Sequence, residues 1–319
     1  MASLNDSEQH VRVVSRHLVK ASDSSIEPHD LPVSNLDLVP QPEKFGMVCI
    51  YPRPPSTDFN AVVTAFESGL PSLLNHFFPL AGRTATNPSS GLTEVHCHNQ
   101  GAELVVGEAG VDLASLDYGN LTASVRKIQL LLPYDEDVAL SVQLVSFACG
   151  GFTVAWCTNH VLADGAALSF LVSAWSELAR TGTLSGEAHP NHDRSVFCPR
   201  VPPFYSASLD EGFSLLDDKH KINVLTAEPS FVRRMYYIEA SDIERLREEA
   251  SLDGQRATRV QAVSAYLWKA LADVVGRTSE EHCRMGWWVN GRERVTEPSL
   301  RAALRNYFGN VATFTRSER

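Results

Sequence analysis

ALSVQLVSFACGGFTVAWCTNHVLADG, Ala139–Gly165, is the stretch from which the rest of the chain can be read. Two apolar runs, Ala139–Phe147 and Phe152–Thr158, flank Ala148-Cys149-Gly150-Gly151. No Asp, Glu, Lys or Arg stands between Val138 and Ala163, a length that would permit a membrane span. Gln143, Asn159, His160, the glycine pair and partial alternation argue instead for a buried β-hairpin. The second run ends on His160 and Asp164, and Gly165 is expected to let the backbone turn into a helix. Ala166–Arg180 carries Leu168, Leu171, Trp175 and Leu178 on one side, with Gly182 closing it.

Strand ends that feed helices are where α/β proteins commonly place ligands. A histidine there titrates near neutral pH and can accept a proton. A well-placed general base contributes roughly 10²–10⁴-fold in rate. A single histidine at a strand end is also commonly a packed or surface residue, and spacing alone leaves both readings open. Asp164 can either orient His160 or cap the helix beginning beside it.

Working outward, Val11–Val19 reads as a strand and Phe45–Tyr51 as a short apolar strand stopped by Pro52, Pro54 and Pro55. Phe59–Leu74 has helical spacing through Val62, Val63, Phe66, Leu70, Leu73 and Leu74. FFPLAGR, Phe77–Arg83, reads as a compact turn. Thr93–His98 and Ala102–Val106, joined by Asn99-Gln100-Gly101, carry a hairpin signal. Residues 183–218 lack periodicity and hold Pro190, Pro199, Pro202 and Pro203. Beyond them, Phe231–Ile238 and Met285–Val289 read as strands and Thr258–Val275 as a helix. Ser241 with Glu244 suggests a capping box for a helix through Ala250. Alternating strands and helices point to an α/β layered protein.

The chain has 319 residues, 44% hydrophobic and 21% charged, which is globular usage for about two domains. Its 28 basic and 38 acidic residues leave a net charge of −10. That argues against nucleic acid and anionic membranes as partners. The six cysteines form no C-x-x-C pair, so neither a disulfide scaffold nor a structural zinc site is expected. The first residues show no apolar leader, and the expected location is cytoplasmic.

Other chemistry is thinner. His96 and His98 alternate along a strand as metal ligands can, but no third ligand is apparent nearby and no metal site is expected. G-x-S-x-G, H-E-x-x-H and G-x-x-x-x-G-K are absent from the sequence. Cys157 alternates into the buried side of its strand and reads as a small hydrophobe. Arg284–Arg319 holds seven arginines and three glutamates, a basic stretch that is either a phosphate site or a solvated surface. Thr258-Arg259 at a helix start is a second phosphate candidate, with a plain N-cap the commoner explanation.

Five segments together resemble the plant BAHD acyltransferases, which use CoA thioesters to acylate oxygen or nitrogen. HVLADG at His160–Gly165 is similar to H-x-x-x-D-G, FFPLAGR to F-Y-P-L-A-G-R, and QLVSFACGGF at Gln143–Phe152 to the strand-turn before the histidine. VNGRER at Val289–Arg294 resembles V-D-G-R-x-R, with Asn290 in place of aspartate, and NYFGNV at Asn306–Val311 resembles Y-F-G-N. SNLDLV at Ser34–Val39 resembles the hydroxycinnamoyl-transferring branch, although Lys44–Tyr51 lacks the polar residues of shikimate transferases.

The resemblance implies a two-domain, chloramphenicol-acetyltransferase-like α/β fold with mixed sheets. Domains are expected at 1–182, with a crossover linker at 183–225 and a partial second domain at 226–319. It is expected to be incomplete, because the family's D-F-G-W-G motif is absent. His160 would be the general base of a direct ternary-complex reaction between acyl-CoA and an alcohol or amine acceptor. Asp164, Gly165 and Arg292 would be structural, with Asp164 and Arg292 ion-paired. Thr258, Arg259 and Asn310 would contact CoA, which acts as co-substrate, with no bound cofactor and no metal. A monomer is expected. The competing expectations are a truncated, non-catalytic relative that binds or regulates, an incomplete gene product, or a phosphate binder using the arginine-rich stretch.

Overall fold

The structure, a computed structural model, describes residues 11–38, 44–54, 58–89, 91–116, 134–135, 137–197, 236–252, 254–275 and 284–318. Among these the chain runs β1 (Val11–Val19), β2 (His29–Pro32), β3 (Lys44–Tyr51), α1 (Phe59–His76), β4 (Arg83–Thr86), β5 (Thr93–Cys97), β6 (Ala102–Ala109), β7 (Leu140–Phe147), β8 (Phe152–Asn159) and α2 (Gly165–Thr181). It continues as α3 (Ala240–Ala250), α4 (Arg259–Val275), β9 (Arg284–Asn290), α5 (Pro298–Leu304) and β10 (Ala312–Glu318). These elements fall into two compact units, Met1–Arg233 with Gly291–Val311, and Arg234–Asn290 with Ala312–Arg319.

In the first unit, β7 and β8 form the antiparallel hairpin read from the sequence, at the centre of a sheet ordered β1-β6-β7-β8-β3. The sheet is mixed, since β6 and β7 run parallel. Nearly every residue of β7 and β8 is buried, which is why they read as continuous apolar runs. Leu140, Val142, Leu144, Val154 and Trp156 pack with Phe66, Leu70 and Leu73 of α1 and Leu168, Leu171 and Trp175 of α2. Phe66 stacks on Trp175 with ring centroids 4.2 Å apart. The alternate residues Val105, Val145 and Phe147 join Val11 and Ala109 in a separate cluster, as period-two geometry requires. Buried Glu103 is satisfied by Ser141, whose hydroxyl donates at 2.6 Å, and by Arg16 at 3.2 Å. Asp58 caps α1, Asp164 caps α2, and Gly182 ends α2 in the left-handed region at φ 76°. No helix of the described residues is long and apolar enough to cross a membrane.

Thr93–Cys97 and Ala102–Ala109 do not form the expected hairpin. β5 pairs with β2 and β4 in a separate three-stranded sheet, while β6 joins the large sheet. Asn99, at φ 50°, exchanges side-chain hydrogen bonds with both backbone groups of Ala21, and Gly101 N–H donates to Ala81. The turn is therefore tied to neighbouring segments and carries the chain from one sheet to the other.

Residues 183–197 are not free linker. Ala188 and Arg194 are buried and 3-10 turns occupy Gly186–Ala188 and Arg194–Phe197. The remainder of the expected linker lies outside the described residues. His192 sits among Phe77, Phe78 and Phe308, and its Nε2 lies 2.9 Å from the His76 carbonyl. Burial pushes its imidazolium down to about 4. A histidine held neutral in the folded state binds its proton more readily when unfolded. Stability is then full above the ordinary histidine range and falls as pH drops from about 6.5 towards 4, by up to about 3 kcal/mol. His192→Gln is expected to flatten urea-unfolding stability across that window. An unchanged slope would assign the pH dependence to other groups.

In the second unit, α3 packs on α4 and β9 pairs antiparallel with β10, Ala312 opposite Asn290 through Glu318 opposite Arg284. The Ser241–Glu244 capping box does not form. The N-cap is Glu239 rather than Ser241, so the helix begins two residues earlier, at Ala240, and Glu244 is held by Arg247 and Arg256. A capping box forms instead at α4, where Thr258 Oγ1 accepts from Gln261 N–H and Gln261 Oε1 accepts from Thr258 N–H. Of the strand expected at Phe231–Ile238, residues 236–238 are not in a strand, and the rest lies outside the described residues. Tyr266, Leu271, Val274 and Trp288 are exposed.

The unit boundaries also differ from the expected 226–319 domain, since Gly291–Val311 belongs to the first unit. The cause is polar. Arg292 and Asn310 are hydrogen-bonded to Asp164 and Asp37 inside that unit.

Candidate active site

His160 follows β8 directly, so its backbone is held by the register of the sheet. Lys44 of β3 lies opposite Asn159 and Phe45 opposite Thr158. The His160 ring stacks on Phe45, with centroids 4.5 Å apart and planes at 30°. A tight turn follows, in which Asn159 Oδ1 accepts from Val161 N–H and Asn159 O from Leu162 N–H. The His160 carbonyl accepts a 2.7 Å bond from Asn310 Nδ2. His160 Nδ1 is shielded from solvent and has no partner among the described residues. Nδ1 is thus closed off from a bound molecule, which leaves Nε2 as the nitrogen to be considered.

Asp164 resolves the alternative that the sequence left open. Its Oδ1 accepts from Ala167 N–H at 2.8 Å, capping α2. Its Oδ2 accepts from Arg292 Nη1 at 2.8 Å and from Val311 N–H at 2.9 Å. Both oxygens are committed to structure, and neither is bonded to His160. Arg292 Nη2 reaches on to the carbonyls of Gly309 and Tyr307. One ion pair thus fastens the start of α2 to the Arg292–Val311 segment. Gly291 is needed here for a close approach, because a Cβ would lie 2.7 Å from the Val311 carbonyl oxygen. Gly165 is not needed for the turn. It is the first residue of α2, and a Cβ there would meet no atom of the described residues within 4 Å beyond its chain neighbours and its own helix.

A second buried ion pair supports the same turn. Asp37, fully buried, pairs with buried Arg194. Asp37 Oδ1 accepts from both the backbone N–H and Nδ2 of Asn310 at 2.9 Å, and its Oδ2 accepts from Ser34 N–H at 2.7 Å. Arg194 Nη2 donates to the Leu162 carbonyl at 3.2 Å. Asn310 departs from its expected role as a CoA contact. It is 1% exposed, and its amide is spent on Asp37 and the His160 carbonyl. It positions the histidine.

Asp37, Arg194 and Phe45 were missed as site residues. SNLDLV held the only signal for Asp37, and Arg194 lay in a stretch read as linker. Thr258 and Arg259 are exposed at the start of α4 and belong to the second unit. Thr258 is the N-cap described above. The basic stretch is divided: Arg292, Arg294, Arg301 and Arg305 fall in the first unit and Arg284 and Arg316 in the second. A cavity of about 490 Å³ is lined by Arg292, Glu293, Arg301 and Arg305, among others. Cys157 is buried and its thiol is pushed up to about 12 by that burial, so it is no thiolate nucleophile.

A family model described as the Transferase family matches residues 9–317. Among curated proteins the chain is similar to an omega-hydroxypalmitate O-feruloyl transferase of Arabidopsis thaliana, 30% identical over 80% of this chain and 56% of that protein. It is 28% identical to a fatty alcohol:caffeoyl-CoA acyltransferase of the same plant, over 78% of this chain and 58% of that protein. It is also 28% identical to putrescine hydroxycinnamoyltransferase 3 of Oryza sativa subsp. japonica, over 94% and 68% respectively. The chain thus spans less than two thirds of the length of the first two relatives. Among solved structures, vinorine synthase superposes with a TM-score of 0.70 at 24% identity, covering 97% of this chain and 71% of that one. F. graminearum TRI101, complexed with coenzyme A and T-2 mycotoxin, gives a TM-score of 0.65 at 16% identity, over 91% and 70%. At these identities the likeness is one of fold.

Proposed function

The chain belongs to the Transferase family, that of the BAHD acyltransferases, and on that premise we propose that it transfers an acyl group from a CoA thioester to a hydroxyl or amine acceptor. The observation that carries the reading is the presentation of His160. Its ring is clamped by Phe45, its carbonyl is fixed by Asn310, and Nδ1 is closed off, which leaves Nε2 as the nitrogen to be considered.

In the proposed reaction, Nε2 takes the proton of the acceptor O–H or N–H as the acceptor atom bonds to the thioester carbonyl carbon. The tetrahedral intermediate collapses by breaking the C–S bond, and the imidazolium returns its proton to the departing sulfur, giving CoA thiol and an ester or amide. Proton transfer within one ternary complex calls on no covalent intermediate. The proposed acyl class is hydroxycinnamoyl, supported by the feruloyl, caffeoyl and hydroxycinnamoyl transferases among the relatives. The protein is proposed to act as a monomer on two small molecules.

The test incubates purified protein with p-coumaroyl-, caffeoyl- and feruloyl-CoA and a panel of long-chain alcohols, aromatic alcohols and amines. Thiol release is followed with a chromogenic reagent and products by mass spectrometry. Acceptor-dependent thiol release with matching product is expected for at least one pair. A cooperatively folded protein that releases no thiol with any pair would refute the catalytic reading.

A second reading, a non-catalytic relative that binds or regulates, has one observation in its favour: the exposed apolar side chains Tyr266, Leu271 and Trp288. It predicts acyl-CoA binding by calorimetry without turnover.

A further inference from the structure

On the three-stranded sheet, Asp30 of β2 stands directly opposite His96 of β5. Glu94 lies two residues before His96 and therefore on the same face. His98 follows just beyond the strand, its ring parallel to that of His96 with centroids 5.4 Å apart. Asp30 Oδ1 is 3.1 Å from His98 Nε2 and 3.9 Å from His96 Nε2, and Glu94 Oε1 is 2.9 Å from His96 Nε2. Single ligand atoms from Asp30, Glu94 and His96 all lie within 4.8 Å of one another. Among the described residues, no hydrogen bond, ion pair or ring contact joins these side chains to His160 or its supporting ion pairs.

We propose that Asp30, Glu94 and His96 bind a divalent metal ion of the zinc class. Three observations carry this. The first is spacing. Zinc holds imidazole nitrogen and carboxylate oxygen at about 2.0–2.2 Å, which puts neighbouring tetrahedral ligands roughly 3.4 Å apart. The Glu94–His96 and Asp30–His96 separations of 2.9 and 3.9 Å bracket that value.

The second is charge. Asp30 and Glu94 have no lysine or arginine within ion-pair distance among the described residues, their only basic partners being the two imidazoles. The nearest arginine in register, Arg83, spends its guanidinium on the Gly82 and Gly101 carbonyls and on Asp137. The two carboxylates carry a charge of −2 that a divalent ion neutralises, and this mixed nitrogen–oxygen donor set suits zinc, nickel or cobalt.

The third is preorganisation. Asn87 Nδ2 donates to Glu94 Oε2 at 2.7 Å, leaving Oε1 turned to the cluster. Outer contacts of this kind orient metal ligands. The ion would staple β2, a strand of four residues, onto β5. The third ligand that sequence spacing did not supply comes from a strand more than sixty residues earlier.

The experiment uses the whole chain after removal of metal with EDTA and dialysis. Zn²⁺ is titrated by calorimetry, and Co²⁺ by visible absorption as a coordination probe. One equivalent is expected to bind in the low-micromolar range or tighter. His96→Ala and Asp30→Asn should each weaken binding by at least ~10-fold, the lower end of losses seen even for outer-sphere partners. Both side chains are partly exposed, and thermal melts of the metal-free variants check that folding is kept. His17→Ala, an exposed histidine on β1, should bind as the parent does. Saturating Zn²⁺ should raise the melting temperature of the parent but not of His96→Ala. Absence of saturable binding, or parental affinity in folded His96→Ala and Asp30→Asn, would overturn the proposal.

Discussion

His160→Ala is expected to remove the proposed acyl transfer while the protein still folds. General bases contribute roughly 10²–10⁴-fold, so residual turnover should be at or below about a hundredth of the parent's. The structural cost is small by comparison. The side chain makes no hydrogen bond through Nδ1, and its main packing contact is the stack on Phe45, worth about 1 kcal/mol for a ring pair. The bond from Asn310 goes to the backbone carbonyl and survives the substitution. The measurement is thiol release under saturating acyl-CoA and acceptor, beside urea unfolding of the same preparation. A folded His160→Ala protein that turns over like the parent would remove His160 from the mechanism, whatever the substrate.

Asp164→Ala should fail differently, through stability. Both partners are largely buried, with side-chain exposures of 8% for Asp164 and 11% for Arg292. Removing one member of a buried pair typically costs about 3–5 kcal/mol, because the remaining charge stays desolvated. The N-cap bond to Ala167 is lost as well, at about 1 kcal/mol. The bond to Val311 N–H disappears with it. Activity should fall along with the folded fraction. Asp164→Ala combined with Arg292→Leu should be less destabilised than the sum of the two single changes, since no unpaired charge is left. A loss below about 1 kcal/mol for Asp164→Ala, the range of exposed pairs, would mean that this contact does not bind the two segments.

These two outcomes separate roles that H-x-x-x-D alone cannot separate. His160 and Asp164 are four residues apart, and either could serve the other. The carboxylate is exhausted by one N–H of its own helix, one distant N–H and one guanidinium, which leaves it nothing for the imidazole.

Much of the framework was legible from local pattern. Continuous apolar runs marked β7 and β8, helical spacing marked α1 and α2, and Gly182 marked the end of α2 within a residue. These features depend on residues that are neighbours in the chain, where period and propensity act directly. Pairing failed where it depended on more than the turn. Asn99-Gln100-Gly101 reads as a hairpin, but the edges of β5 are taken by β2 and β4. Capping failed at Ser241 because Glu244 found two arginines instead.

The amino-acid order by itself determined the family, the central hairpin, and the histidine that the hairpin delivers to its end. Only the tertiary structure decided what holds that histidine. Asp37 meets Arg194 across 157 positions and Asn310 across 273. No periodicity encodes such pairs. A buried carboxylate is tolerated only where the fold brings it a partner, so the partner's identity is a property of the closed structure.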